Sequence, residues 1–427
     1  MRRSSTSPGL VAALVVCILL AGGCSDSPSD VDSEASGSVD VVRVSPGQAV
    51  QIRSISTLSD RNGEPTQMTI MHAVAIAIED YGLIHGRFAV GLGEPLDDLC
   101  SAEGGEAAAM EVVADSSVVG VIGPSCSVAS TEAAPLISRA GMVLISSSNT
   151  SPALTSNLAG VPGDHYYPGY YRTAHNDLYQ GRAVADFIHE DLGHGRVAAV
   201  HIGEAYTEGL AQAFLDAFEQ HGGIVTSFIE IDPEATDLMP VLAEIASGSP
   251  DALFMPLFSS EGRSLAEQAR AFDGLEDLTL IGADSLLTSQ FLELDFTRGM
   301  YLAGPDLRFG ENANWATGAN AEQISQRFLA RIGESPDGAF WAHAYDATTL
   351  LLDAITASSH LEGQVLAIDR AAVRQYLNQV EDLEGVIGTI DCDEFGDCSP
   401  AKISIIKHLD PGNPEASLGN VVYEFSP

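Results

Sequence analysis

Serine, histidine, cysteine and acid are all present, yet their spacing excludes most of the chemistry those residue types can do. The segment 123–127, GPSCS, opens like the nucleophile elbow G-x-S-x-G, but the final glycine that lets that strained turn meet its helix is Ser127 here. Eleven histidines are scattered without H-E-x-x-H spacing, and His72, His201 and His343 read as ordinary, partly buried side chains. Asp391, Asp393, Glu394 and Asp397 are dense enough to suggest calcium. Phe395, however, stands where an EF-hand loop needs an oxygen, and no glutamate closes the loop, so a solvated turn is expected. No P-loop, G-x-G-x-x-G, C-x-x-C or Cys/His array occurs. With no activated nucleophile, metal set or nucleotide fingerprint, the sequence points away from an enzyme and implies no cofactor.

Two hydroxyl-rich places remain. Ser127 starts the helix that follows an apolar run at 118–122, and SSSNT at 146–150 follows another at 142–145. Taken alone, Ser127 is an N-cap and 146–149 a polar turn. The same hydroxyls and backbone amides, at strand ends that point to helix starts, can together hold a carboxylate.

The elements that must position them alternate regularly. Apolar runs at 50–56, 87–92, 118–122 and 142–146 read as strands, separated by helical patterns at 68–81, 105–115 and 128–140, the last containing Pro135. A second series follows: helices at 180–191, 207–221, 235–247 and 261–272 alternate with strands at 197–202, 224–229, 252–257 and 278–281. Helices at about 319–332, 342–357 and 368–379 come next, and short strands at about 386–390, 401–407 and 420–425 end the chain. Strands this apolar between helices imply two parallel sheets, each covered on both faces.

The 427 residues suggest two domains, and 59 acidic against 20 basic residues give a net charge of −39. The only lysines are Lys402 and Lys407. Without clustered Arg and Lys, nucleic acid is excluded as a partner. Such a surface is kept apart by self-repulsion, and a salty exterior would also tolerate it.

Arg2 and Arg3 precede an apolar run from Leu10 to Leu20, followed by Ala21, Gly22, Gly23 and Cys24, which is the layout of an export signal. The run LLAGGC resembles a bacterial lipoprotein signal, which implies cleavage before Cys24 and lipid on it. Ala21 stands where that pattern most often has Leu, so cleavage without lipid is the alternative. Removing 1–23 takes away two arginines and no acids, lowering −39 to −41. From 25 to about 40 the chain is Ser, Asp and Gly with almost nothing apolar, a tether. Cys100, Cys126, Cys392 and Cys398 remain in the mature chain, and an even count after export favours disulfides. The short spacing of Cys392 and Cys398 closes most easily as a local loop, which leaves Cys100 with Cys126.

The stretch 118–155, VVGVIGPSCSVASTEAAPLISRAGMVLISSSNTSPALT, closely resembles the branched-chain amino-acid-binding proteins of ABC importers, of the type I periplasmic binding protein family. DDLC at 97–100, RTAHNDLYQG at 172–181, AYTEGLAQAF at 205–214, IGADSL at 281–286 and AYDATTLLLDAI at 344–355 match in order, so the likeness covers nearly everything after residue 48. It implies an α/β fold of two doubly wound parallel-sheet lobes joined by a multi-strand hinge. Lobe one would be 48–174 plus 305–385 and lobe two 175–304 plus 386–427, after a signal at 1–23 and a lipidated linker at 24–47.

The resemblance also assigns roles. Ser127 and the loop Ser148, Asn149 and Thr150 match positions that hold a ligand α-carboxylate. Tyr206 matches an aromatic from the second lobe that covers the ligand, Phe258 falls near another aromatic wall, and Asp284 stands where an acid faces the α-ammonium. The first-lobe aromatic has no counterpart in DRNGEPTQ at 60–67. Cys100 and Cys126 match a family disulfide. The implied function is capture of an amino acid, branched-chain or otherwise aliphatic, by lobe closure. Implied with it are a monomer, delivery to importer permease subunits, and a place outside the cell membrane or in the periplasm. Binders of amides, ureas or aromatic acids share the pattern, and a sensing subunit would use the same clamp.

Overall fold

A computed structural model describes residues 41–59, 66 and 68–427; the signal at 1–23, Cys24, the tether to residue 40 and most of the 60–67 segment lie outside these. Two sheets dominate. In the first, strands Val90–Gly91, Val50–Ser56, Val118–Ile122, Val143–Ser146 and Tyr170–Arg172 lie side by side in that order, all parallel, with Leu96–Asp97 extending the edge beside Ile55. Every residue of Val118–Ile122 is buried, because helices cover both faces. Two cores result, one around Ile52, Val119 and Leu351, the other around Val121, Ala133 and Leu144.

The second sheet runs in the order Val421–Phe425, Ile403–Lys407, Tyr301–Pro305, Thr279–Gly282, Ala252–Met255, Arg196–His201 and Ile224–Glu230. Its last two chain segments pair antiparallel, so this sheet is mixed rather than wholly parallel. Two further cores flank it, around Leu242 and Leu302 and around Phe214 and Phe254.

Several boundaries differ from the sequence reading. Strand Val41–Val44 lies inside the expected 24–47 linker, where alternate valines are buried against strand Val365–Asp369. That strand occupies the start of the expected 368–379 helix, which begins at Arg370 instead, with Asp369 as its cap. Val386, Ile387, Ile390 and Cys398 pack in a first-sheet core, so the last passage to the second sheet comes after 398 and not at 386. The chain passes between the sheets three times, between Arg172 and Asp177, between Pro305 and Ala321, and between Cys398 and Ile403.

This topology turns the carboxyl ends of strands from both sheets toward one cleft. One turn there requires glycine: Gly123, after Val118–Ile122, has φ +106°, and a Cβ would sit 1.8 Å from the Ile55 carbonyl oxygen.

Candidate functional site

The cleft encloses about 800 Å³. Thr57, Ser125 and Cys126 line it from the first lobe, and Phe258, Asp284 and Phe291 from the second, with Phe340 and Trp341 beside the connection into helix Trp341–Ala357. Of the residues expected from sequence, Phe258 and Asp284 are on its wall, whereas Ser127, Ser148, Asn149, Thr150 and Tyr206 are not.

Those five are accounted for individually. Ser127 is the first residue of helix Ser127–Arg139, and its Oγ accepts from Ser151 N at 3.4 Å, joining the helix to the 146–151 loop. Ser148 Oγ donates to Ser125 O at 2.8 Å, and Asn149 Nδ2 donates to the same oxygen at 2.9 Å. Asn149 Oδ1 accepts from the Ser130 and Tyr170 hydroxyls. The side chains of Ser148 and Asn149 therefore build the loop instead of reaching into the cleft. Thr150 differs: its Oγ1 is buried with no hydrogen-bond partner.

Tyr206 is 4 % exposed, with its ring tilted against Phe258 at 5.4 Å, so Phe258 forms the wall and Tyr206 lies behind it. The Tyr206 hydroxyl lies 3.0 Å from Asp284 Oδ1 and 3.1 Å from Ser285 Oγ. Ser285 already donates to Leu257 O, and the tyrosine's single proton is best placed on the carboxylate. Asp284 opens the short helix Asp284–Leu286 after strand Thr279–Gly282. Burial pushes its carboxyl up to about 6, opposed by Gln180 and Tyr206.

Sequence reasoning passed over a buried acid beside Asp284. Asp177 begins helix Asp177–Asp186 and is wholly buried, with neither carboxylate oxygen hydrogen-bonded. Burial first, then repulsion from Asp284, holds its carboxyl well above the usual range, while the nearby Thr150 hydroxyl, outside good hydrogen-bond geometry, tempers the rise. Its only sequence signal was HND at 175–177, which reads equally well as a helix start. Also passed over were Phe340 and Trp341, and Asp98. Asp98 accepts from Thr57 Oγ1 at 2.7 Å, Ser125 N at 2.7 Å and Cys100 N at 2.9 Å, fixing two strand-end loops at the cleft.

Both disulfides, Cys100–Cys126 and Cys392–Cys398, are formed, and the first ties the helix start at Ser127 to the 97–101 turn. Among the described residues no group of three or more His, Cys, Asp or Glu is arranged to hold a metal ion. Thr150, Asp177, Tyr206 and Asp284 form a buried, acceptor-rich cluster, of which Asp284 reaches the cleft wall.

Two α/β lobes around a cleft lined by strand ends define a solute-binding protein, and the chain belongs to the family described as periplasmic binding protein, whose model matches residues 55–396. The fold is the type I form, and the family is one of solute-binding proteins rather than enzymes. Among individual relatives, the chain is similar to Leu/Ile/Val-binding protein homolog 3 of Brucella melitensis, 24% identical over 324 residues, which is 74% of this chain and 79% of that protein. Its fold is similar to the leucine-binding protein LivK of Thermotoga maritima, with TM-score 0.72, 21% identity, and coverage of 89% of this chain and 99% of that one. It is also similar to LivJ of Streptococcus pneumoniae in complex with isoleucine, with TM-score 0.71, 19% identity, and coverage of 89% and 100%.

Proposed function

We propose that this chain captures an amino acid outside the cytoplasm and delivers it to an ABC importer. The observation that carries the reading is the recess in which Thr150 Oγ1 and both oxygens of Asp177 are buried without partners beside Asp284. A buried polar group without a partner costs about 1 to 3 kcal/mol, so a ligand ammonium that satisfies three acceptors at once gains what the free protein forgoes. The carboxylate of the same ligand meets the Ser127 and Val128 N–H groups that open helix Ser127–Arg139, since Ala129 N and Ser130 N already donate to Cys126 O. Phe258, Phe340 and Trp341 give its side chain an apolar wall, which favours an aliphatic ligand, and the names of the relatives agree with a branched-chain one.

In this reading Ser127 and Thr150 act through the first lobe, and Asp284 with Asp177 through the second and the connection to it. Lobe closure lets both contact the ligand together. The protein works as a monomer held to the membrane by lipid on Cys24, and Cys24→Ser releases it into the soluble fraction on cell fractionation. A thermal-shift screen of amino acids, amides and aromatic acids tests the ligand class. A bound ligand at ~100 Kd adds roughly 2.7 kcal/mol. Stabilisation by neutral amides or aromatic acids, with none by amino acids, overturns the reading.

A further inference from the structure

Arg172, at the end of strand Tyr170–Arg172, has no solvent exposure, and its guanidinium spans two parts of the chain. Nη1 donates to Asn149 O at 3.2 Å and Ser151 O at 2.8 Å, and Nη2 donates to Thr155 Oγ1 at 2.7 Å. The two carbonyls flank Thr150, so the rigid, planar fork fixes the backbone on both sides of a residue whose hydroxyl is left without a partner. A buried guanidinium needs an anion, and Nε makes an ion pair with Asp397. The other oxygen of that carboxylate accepts from Asn176 Nδ2 at 3.2 Å, next to Asp177.

Asp397 belongs to the loop closed by Cys392–Cys398, and that loop is docked on the same strand. Arg172 N donates to Gly396 O at 2.9 Å, and Cys398 N donates to Arg172 O at 3.0 Å. Gly396 has φ +87°, and a Cβ there would lie 2.2 Å from Tyr170 O, so close docking requires glycine. Asp393 Oδ1 accepts from the amides of Phe395 and Asp397, both at 2.9 Å, shaping the loop from within. The acidic run that resembles a calcium loop in sequence thus has other work for two of its members.

We infer that Arg172 and Asp397 are positioning residues for ligand capture and that the disulfide-closed 392–398 loop is their brace, given that Thr150 faces the ligand as proposed. Loosening the loop frees Asp397, Arg172 loses its counter-charge, and the backbone around Thr150 is released although none of these groups lies on the cleft wall.

The test compares wild type with Asp397→Asn, Asp397→Glu and the double variant Cys392→Ser/Cys398→Ser. Hydrogen exchange is followed over 147–155 and, as a control, over 252–257 in the second lobe, and binding is titrated with L-leucine. Asp397→Asn and the double variant should speed exchange over 147–155 about tenfold, leave 252–257 unchanged, and weaken L-leucine binding about tenfold. Asp397→Glu should recover part of both effects, which loss of general stability would not. Unchanged exchange over 147–155, or equal acceleration in both segments, overturns the proposal. Should wild type not bind L-leucine, the leucine-capture reading fails while the exchange comparison still decides the positioning role. Should Asp397→Asn not fold, the double variant, altered only in the loop's closure, supplies the decision.

Discussion

On the proposed function, two neighbouring buried acids, Asp177 and Asp284, carry the chemistry at the scale of single residues. Because burial holds Asp284 near 6 and Asp177 above the usual range, an incoming ammonium displaces protons as it restores both charges. Binding should therefore release protons, and affinity for an amino acid should fall as pH drops through about 6, by up to about tenfold per pH unit for each proton displaced. Calorimetry in buffers of different ionisation enthalpy measures this directly. Asp284→Asn should weaken binding at least tenfold, since a charge left unpaired in the recess costs about 2 to 5 kcal/mol. Asp177→Asn should reduce the number of protons released. Ser127→Ala should do less than either, because its hydroxyl only accepts a 3.4 Å bond from Ser151 N and backbone amides remain. The resemblance alone pointed to Asp284 and Phe258, and both line the cleft. The inward turn of the Ser148 and Asn149 side chains onto Ser125 O was not legible, because a hydroxyl or amide in a turn carries no sign of whether it faces the cleft or its own backbone. Asp177 was missed for the converse reason: an acid at a helix start has an ordinary explanation until its burial is seen.

Loops at strand ends are the elements on which the site depends, and Asp98 is the strongest single link between them. It accepts from a side chain and three amides on three segments, so Asp98→Asn replaces an acceptor with a donor that nothing there receives. The expected loss is about 1 to 3 kcal/mol, read as a lower denaturant midpoint, together with weaker ligand binding. Most of the β/α alternation was legible, because strands such as Val118–Ile122 are uniformly apolar and the helices between them are periodic. Others were not: Tyr170–Arg172 has too few residues to show a pattern, Tyr301–Pro305 ends in Gly-Pro and reads as a turn, and Val41–Val44 follows a polar stretch that disguises it. The antiparallel pairing of Ile403–Lys407 was hidden too, since register between segments about a hundred residues apart leaves no local mark.

At the scale of the molecule, acid within the cores sets the pH dependence of stability. Asp284 and Asp346 are both buried and both pushed up to about 6 from a usual 3.8. Between about pH 4 and 6 the folded chain holds protons that the unfolded chain has released, so stability falls as pH rises through that window. Each group contributes about 3 kcal/mol at full effect. Easing of the −39 charge works in the same direction. The ligand-free melting temperature should thus be higher at pH 5 than at pH 7.5, and Asp346→Asn should flatten the difference; a curve that rises toward neutral pH contradicts the assignment. The chain's three passages between the sheets have a separate consequence. A single connector lets two bodies swivel freely, but three side by side leave little more than one angle to vary. Leucine, isoleucine and valine, whatever their differences in fit, would then arrive at the same final pose of the lobes. On the proposed function, a membrane partner would then receive a yes-or-no statement of occupancy, and one importer could serve every ligand able to produce it.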